Sequence, residues 1–120
     1  MDFNPVIPIW LQVVTDIKHD VIRGIKPPGS KLPGGRDLAI EYSINPNTAA
    51  RVYQELEKQG ICETRRGLGT FVTEDETVIS ALRNEMARTA LRQFLTEMEN
   101  LGYTHQETVN LLIREDNNDA

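Results

Sequence analysis

Hydrophobic positions along this chain recur mostly at helical spacing, with one short strand-like interruption. From Pro8 or Ile9 to near Gly24, the residues Trp10, Val13, Val14, Ile17, Val21 and Ile22 fall at spacings near 3.6, which predicts an amphipathic helix. Its other face carries Gln12, Asp16, Lys18, His19, Asp20 and Arg23. His19 reads as a solvated residue, because no second ligand type lies one turn away. Lys26-Pro27-Pro28-Gly29-Ser30 cannot continue the helix, since proline keeps its predecessor out of the α region and glycine favours a turn. Lys31-Leu32 is then long enough for a two-residue strand that pairs with a later hairpin. Leu38, Ala39 and Tyr42 predict a second helix over 35–42. After the turn at Ser43-Ile44, Asn45 suits an N-cap and Pro46 a first helical position. Ala49, Val52, Tyr53 and Leu56 form the buried face of this third helix, which Gly60 closes.

Beyond Gly60 the pattern shortens. Ile61 to Glu63 reads as a strand with Ile61 buried, Thr64 to Leu68 as a basic tip, and Gly69 to Val72 as the return strand with Phe71 packing inward. Gly67 and Gly69 permit the positive φ angles of a tight loop. Thr73-Glu74-Asp75-Glu76 has the form of a capping box and opens a long helix to about Asn100. Its stripe is Val78, Ile79, Leu82, Met86, Leu91, Phe94, Leu95, Met98 and Leu101, and Gly102 ends it. Thr104-His105-Gln106-Glu107 is a second capping box, starting a short helix with Val109, Leu112 and Ile113 on one side. Asn117 to Ala120 reads as a frayed acidic tail.

Composition narrows the function. A hydrophobic content of 39% with one Trp, three Tyr and three Phe argues against a compact monomer enclosing a large ligand cavity. The single Cys62 excludes an internal disulfide and fits a reducing compartment. With two separated histidines it offers no zinc spacing, and no metal or other cofactor is expected. No apolar run approaches the roughly 18 residues of a membrane span, and Met1-Asp2-Phe3-Asn4-Pro5 does not open a signal peptide. The expected location is cytoplasmic, with no membrane partner. No nucleophile–base–acid set, Walker loop or dinucleotide fingerprint is present, so no enzyme activity is expected. The net charge of -5 disfavours nucleic acid only on its face. Residues 1–73 hold nine Lys/Arg against eight Asp/Glu, for +1, and residues 74–120 hold four against ten, for -6. The acidity is C-terminal, and the basic groups of the first part cluster, which is what a DNA footprint needs.

Two helices about three residues apart, the second polar on its outer face, make a helix-turn-helix. That outer face carries Asn47, Thr48, Arg51, Gln54 and Lys58, side chains that read base edges and grip phosphates. Asn47, Thr48 and Arg51 lie within about one turn and can enter one groove; the alternative for Arg51 is an ion pair with Glu55 at i+4. Arg65 and Arg66, at a glycine-tipped turn, suit a wing laid along a groove. Tyr53 reads as core, and Lys58 as solvated.

Three ordered motifs carry a family resemblance. Leu32-Pro33-Gly34-Gly35-Arg36-Asp37-Leu38-Ala39, Asn45-Pro46-Asn47-Thr48 and Thr64-Arg65-Arg66-Gly67-Leu68-Gly69-Thr70-Phe71-Val72 together resemble the winged helix-turn-helix of GntR-type bacterial transcription regulators, over about residues 8–73. The short remainder resembles the YtrA-type subgroup. The chain departs from the family at Gly34-Gly35, where members usually have Ser and a larger residue. A second Gly in a first turn costs roughly 1 kcal/mol relative to Ala. The resemblance implies DNA contacts from Arg36, Asn47, Thr48, Arg51, Arg65, Arg66, Gly67, Gly69 and Thr70. For Arg36 the alternative is a salt bridge to Asp37 or Glu41.

The expected fold class is α+β, mostly α. A winged helix-turn-helix DNA-binding domain occupies residues 1–73, and a short two-helix C-terminal dimerisation segment occupies 74–120. Two amphipathic helices cannot bury both faces of a ligand and still close their own core, so a second copy is the expected cover. The dimer interface would include Ile79, Leu82, Met86, Leu91, Phe94, Leu95, Met98, Leu112 and Ile113; the runner-up is folding back onto the winged helix. The expected function is a homodimeric, sequence-specific transcriptional regulator, a repressor by resemblance, on a palindromic double-stranded DNA operator. The alternative is a winged-helix module that contacts another protein and has no need of Arg65 and Arg66. The residues neither support nor exclude a small-molecule effector in the dimer crevice.

Overall fold

Helix α1 (Ile9–Ile22) turns Val13, Val14, Ile17 and Val21 into the core, where all four are buried. The fold is a computed structural model and describes residues 1–118. Helix α2 (Gly35–Tyr42) buries Leu38, Ala39 and Tyr42, the three expected positions. Its start holds despite the paired glycines, with Leu38 N–H donating to Gly34 O at 2.8 Å. The turn into α3 (Pro46–Lys58) places Ser43 at φ 55, and Ile44 N–H donates to Ala39 O at 2.9 Å. Asn45 caps α3, its side-chain oxygen accepting from Asn47 N–H at 2.8 Å. Helix α3 is the central element: it packs on α1, on α2 and on the first strand, through Ala49, Val52, Tyr53 and Leu56.

Two phenols tie these helices together. Tyr42 Oη donates to Asp16 Oδ2 at 2.6 Å, linking α2 to α1. Tyr53 Oη donates to Pro33 O, anchoring the segment before α2. Burial raises the pKa of both phenols, and the Asp16 carboxylate adds to the rise at Tyr42.

The hairpin differs from expectation in two respects. Strand β1 runs Cys62–Arg65 and β2 runs Gly69–Val72, antiparallel, with Arg65 opposite Gly69. Arg65 therefore ends a strand, and only Arg66-Gly67-Leu68 forms the tip. Ile61 is buried as expected, although it precedes β1. Facing residues alternate along a strand. Val72 and its partner Cys62 are buried, so Phe71 turns to the opposite face and is only half-buried, correcting its expected inward placement. Lys31 forms the expected short extension of the sheet, bridging Phe71, with Leu32 N–H donating to Thr70 O at 2.8 Å.

Helix α4 spans Glu76–Asn100, and Asp75, not Thr73, caps it. Asp75 Oδ1 accepts from Thr77 N–H at 2.9 Å, while Thr73 Oγ1 accepts from Asp75 N–H at 3.1 Å. The Thr77 hydroxyl, donating to Asp75 Oδ1 at 2.6 Å, and the Thr77 N–H lower the Asp75 pKa. The second capping box forms as read: Thr104 N–H donates to Glu107 Oε1 at 3.1 Å, and Glu107 N–H to Thr104 Oγ1 at 3.2 Å. It opens α5 (His105–Asn118). The backbone stays helical through Asn117 and Asn118, where a frayed tail was expected; residues 119 and 120 lie outside the described residues. No helix among the described residues is long and apolar enough to cross a membrane.

The chain divides into two compact units, Met1–Leu82 and Arg83–Ala120. The first is a winged helix-turn-helix; the second is the rest of α4 with α5. Along the α4 stripe only Leu82, 7% exposed, is buried by its own chain, which removes it from the surface open to a partner. Ile79, Met86, Phe94, Leu95 and Met98 are half-buried, and Leu91 is exposed. In α5 the inward positions are Thr108 and, in part, Leu111, while Leu112 and Ile113 face outward.

Candidate nucleic-acid interface

Helix α3 divides cleanly around its circumference. Four apolar residues fill the inner side, and Asn47, Arg51, Gln54 and Lys58 stand exposed on the outer side. Thr48 lies at the boundary and is half-buried. Asn47 and Arg51 are four residues apart and lie one above the other on one face. The amide of Asn47 is taken up by the cap, and its side chain is free to point outward.

Arg51 has a partner that sequence reasoning missed. Its guanidinium lies over the Trp10 ring, 4.2 Å from the centroid. The weighed ion pair with Glu55 does not form; Glu55 accepts instead from Gln59 Nε2 at 2.8 Å. Arg36 is exposed in the first turn of α2, and neither Asp37 nor Glu41 pairs with it among the described ion pairs.

The two wing arginines have different surroundings. Arg65 donates from Nη2 to Glu63 Oε1 at 2.7 Å, faces Glu74 at 3.7 Å and stacks on Phe71 at 4.6 Å. The hydrogen bond and charge of Glu63, with Glu74 behind it, raise its pKa. Arg66 is exposed at the tip and takes no part in the described ion pairs. Gly67 beside it has φ 78, a conformation that suits glycine. Thr70 faces Thr64, hydroxyl to hydroxyl at 3.3 Å, and Thr64 Oγ1 in turn donates to Glu57 of α3, fastening the wing to that helix.

The start of α2 and the base of the wing meet across a cleft of about 580 Å³, lined by Lys31, Leu32, Pro33, Gly34, Asp37, Gly69 and Thr70. Lys31 was not expected here. It crosses Gly69 so closely that a Cβ on that residue would lie 2.8 Å from Lys31 Cε. The one signal available was its bridge position in the strand before α2. Together these elements present hydrogen-bonding groups on one helix and a cation at a hairpin tip, the parts of a surface that reads grooves and grips phosphates, while the cleft pairs one cation, Lys31, with one anion, Asp37.

Comparison with known proteins agrees with this geometry. The model of the bacterial regulatory proteins, gntR family, matches residues 10–72. This chain belongs to the GntR family. It is 42% identical over 100 residues to YhcF of Bacillus subtilis (strain 168), an HTH-type transcriptional regulator, covering 83% of each chain. It is 38% identical over 96 residues to the HTH-type transcriptional repressor YtrA of the same organism, covering 79% of this chain and 74% of that one. These relatives are transcriptional regulators, not enzymes. Among solved structures, a GntR family transcriptional regulator from Listeria monocytogenes superposes with a TM-score of 0.88 at 34% identity, covering 93% and 98% of the two chains. The DNA-binding domain of AraR in complex with operator ORX1 superposes with a TM-score of 0.56 at 25% identity, over 61% of this GntR-family chain and 93% of that one.

Proposed function

We propose that this GntR-family protein is a homodimeric repressor that binds a palindromic operator, with residues 1–73 as the DNA-binding part and 74–120 as the dimerisation segment. The observation that carries the proposal is the outer face of α3, where Asn47, Arg51 and Gln54 stand exposed together above a fully apolar inner face. In this reading Asn47, Thr48 and Arg51 read base edges, Arg36 and Arg66 grip phosphates, and Gly67, Gly69 and Thr70 bring the wing backbone close to the groove. Arg65 joins them only by exchanging Glu63 and Glu74 for phosphate. The likeness to the AraR domain solved on its operator supports the docking mode, and the likeness to YtrA supports repression. The protein acts in the cytoplasm, beside the DNA it reads.

The dimer is proposed from the second unit, where Leu91, Leu112 and Ile113 are 55%, 51% and 54% exposed. Burying one such side chain contributes about 1.5–3 kcal/mol, and a second copy supplies the same surface in symmetric form. Two α3 helices then enter successive major grooves about one turn, roughly 10 bp, apart. The test is a footprint of the purified protein on its own promoter, titrated with salt beside a sedimentation mass. A protected palindrome and a dimer mass are expected. The phosphate contacts of Arg36 and Arg66 in each protomer would give a slope of log K against log salt of about -4 for the dimer. Binding that ignores salt, or a monomer that protects nothing, would overturn the proposal.

A further inference from the structure

The stack of Arg51 on Trp10 joins two elements, the first turn of α1 and the outer face of α3, that pack directly on one another. Trp10 is half-buried, and the fully buried part of α1 starts a turn later, at Val13 and Val14. The ring thus stands at the rim of the core, where its face meets Arg51.

The geometry of such a stack decides what it leaves free. A guanidinium is drawn to the face of an indole, where the π electrons are. Its five N–H donors lie in its own plane, in a fixed fork. Stacking therefore orients the group without consuming a donor. Glu55, the carboxylate within reach along the helix, bonds to Gln59 instead. An arginine left loose on a helix surface loses rotamer freedom when it docks, and that loss weakens binding. A braced arginine has lost much of it beforehand.

We infer that Trp10 is a positioning residue for DNA recognition, holding the Arg51 fork in the orientation in which it meets a guanine edge or a phosphate. The inference rests on the DNA-binding reading of α3. Trp10 itself touches no base; it acts through Arg51.

The test uses the full chain and a duplex that the wild-type protein selects from a random pool. Affinity is measured at one salt concentration for wild type, Trp10→Leu, Trp10→Phe, Arg51→Ala and the double variant Trp10→Leu/Arg51→Ala. Trp10→Leu should weaken binding about two- to five-fold per DNA-binding unit, the worth of an exposed cation–π contact. Trp10→Phe, which keeps a ring face, should recover most of that loss. In the Arg51→Ala background, Trp10→Leu should cost nothing further. Equal losses in both backgrounds would mean that Trp10 serves the fold alone, and would overturn the inference while leaving DNA binding intact. Selection of no duplex by the wild type would overturn the DNA-binding reading and this inference together. Should Trp10→Leu not fold, the free protein supplies a second test. Trp10 is the only tryptophan, so Arg51→Ala should change the chain's indole emission, and an unchanged emission would refute the stack.

Discussion

Arg65 and Arg66 are chain neighbours with opposite surroundings. Arg65 ends a strand, stacked on Phe71 and paired with Glu63 and Glu74. Arg66 sits one residue on, exposed at the tip. Binding DNA with Arg65 requires giving up carboxylate partners; binding with Arg66 requires only the release of solvent and ions. Arg66→Ala should therefore reduce the salt slope by about 1 per protomer, and Arg65→Ala by less. Salt titrations of the two variants on one duplex check this, and the reverse order would assign the phosphate contact to Arg65. The sequence shows two adjacent cations at a turn. It does not show that one is already held, because Glu74 and Phe71 reach Arg65 only through the hairpin register.

At the scale of elements, the helices were legible and the hairpin only partly so. Helix α2 came out with the predicted bounds and buried face, because its periodicity is local. The hairpin departs from the expected strand parity at Phe71, since one residue of shift exchanges the two faces of a strand. What settles it is Val72, buried opposite Cys62. That placement has a consequence for Cys62. Burial, with Glu57 nearby, pushes its thiol up to about 12 from 9.0. A raised folded pKa contributes stability that is full below the unfolded value and is lost as pH rises through the folded one. Stability from this group should thus fall by about 1.4 kcal/mol per pH unit once pH exceeds 9. Denaturant unfolding of wild type and Cys62→Ala from pH 8 to 11 checks it. The difference between the two curves isolates the thiol from the tyrosines that titrate in the same range. Parallel curves would show that the thiol ionises equally in both states.

For the whole molecule, the second unit carries apolar side chains that its own chain leaves uncovered. Its outward leucines and isoleucine are too exposed to serve as an ordinary core. Two symmetric copies of the patch would bury it, and would also set the spacing of the two α3 helices on DNA. The double variant Leu91→Glu/Leu112→Glu should sediment as a monomer while keeping its helical circular dichroism. Its affinity for a palindrome should fall to that of a single half-site. A variant that remains dimeric would place the interface elsewhere. Leu82, part of the same stripe in sequence, is excluded from the patch because its own chain buries it.

Local pattern in the chain sets which helices form and which face α1, α2 and α3 bury. Periodicity, caps and breakers act over a few residues, so Asn45, the Thr104–Glu107 box and the Ala49–Leu56 stripe needed no tertiary information to be read. It also carried the family, because the motifs at Leu32–Ala39, Asn45–Thr48 and Thr64–Val72 are contiguous. Which polar groups are free to act depends on how the elements pack. Arg51 lies on a tryptophan from α1, Lys31 crosses Gly69, and Arg65 is occupied by Glu63, Glu74 and Phe71. Most of these partners come from another element; Glu63 alone is local, two residues before Arg65 on the same face of β1. Local patterning tells a residue's buried side from its open side, but the neighbour that meets the open side is chosen by how the elements pack.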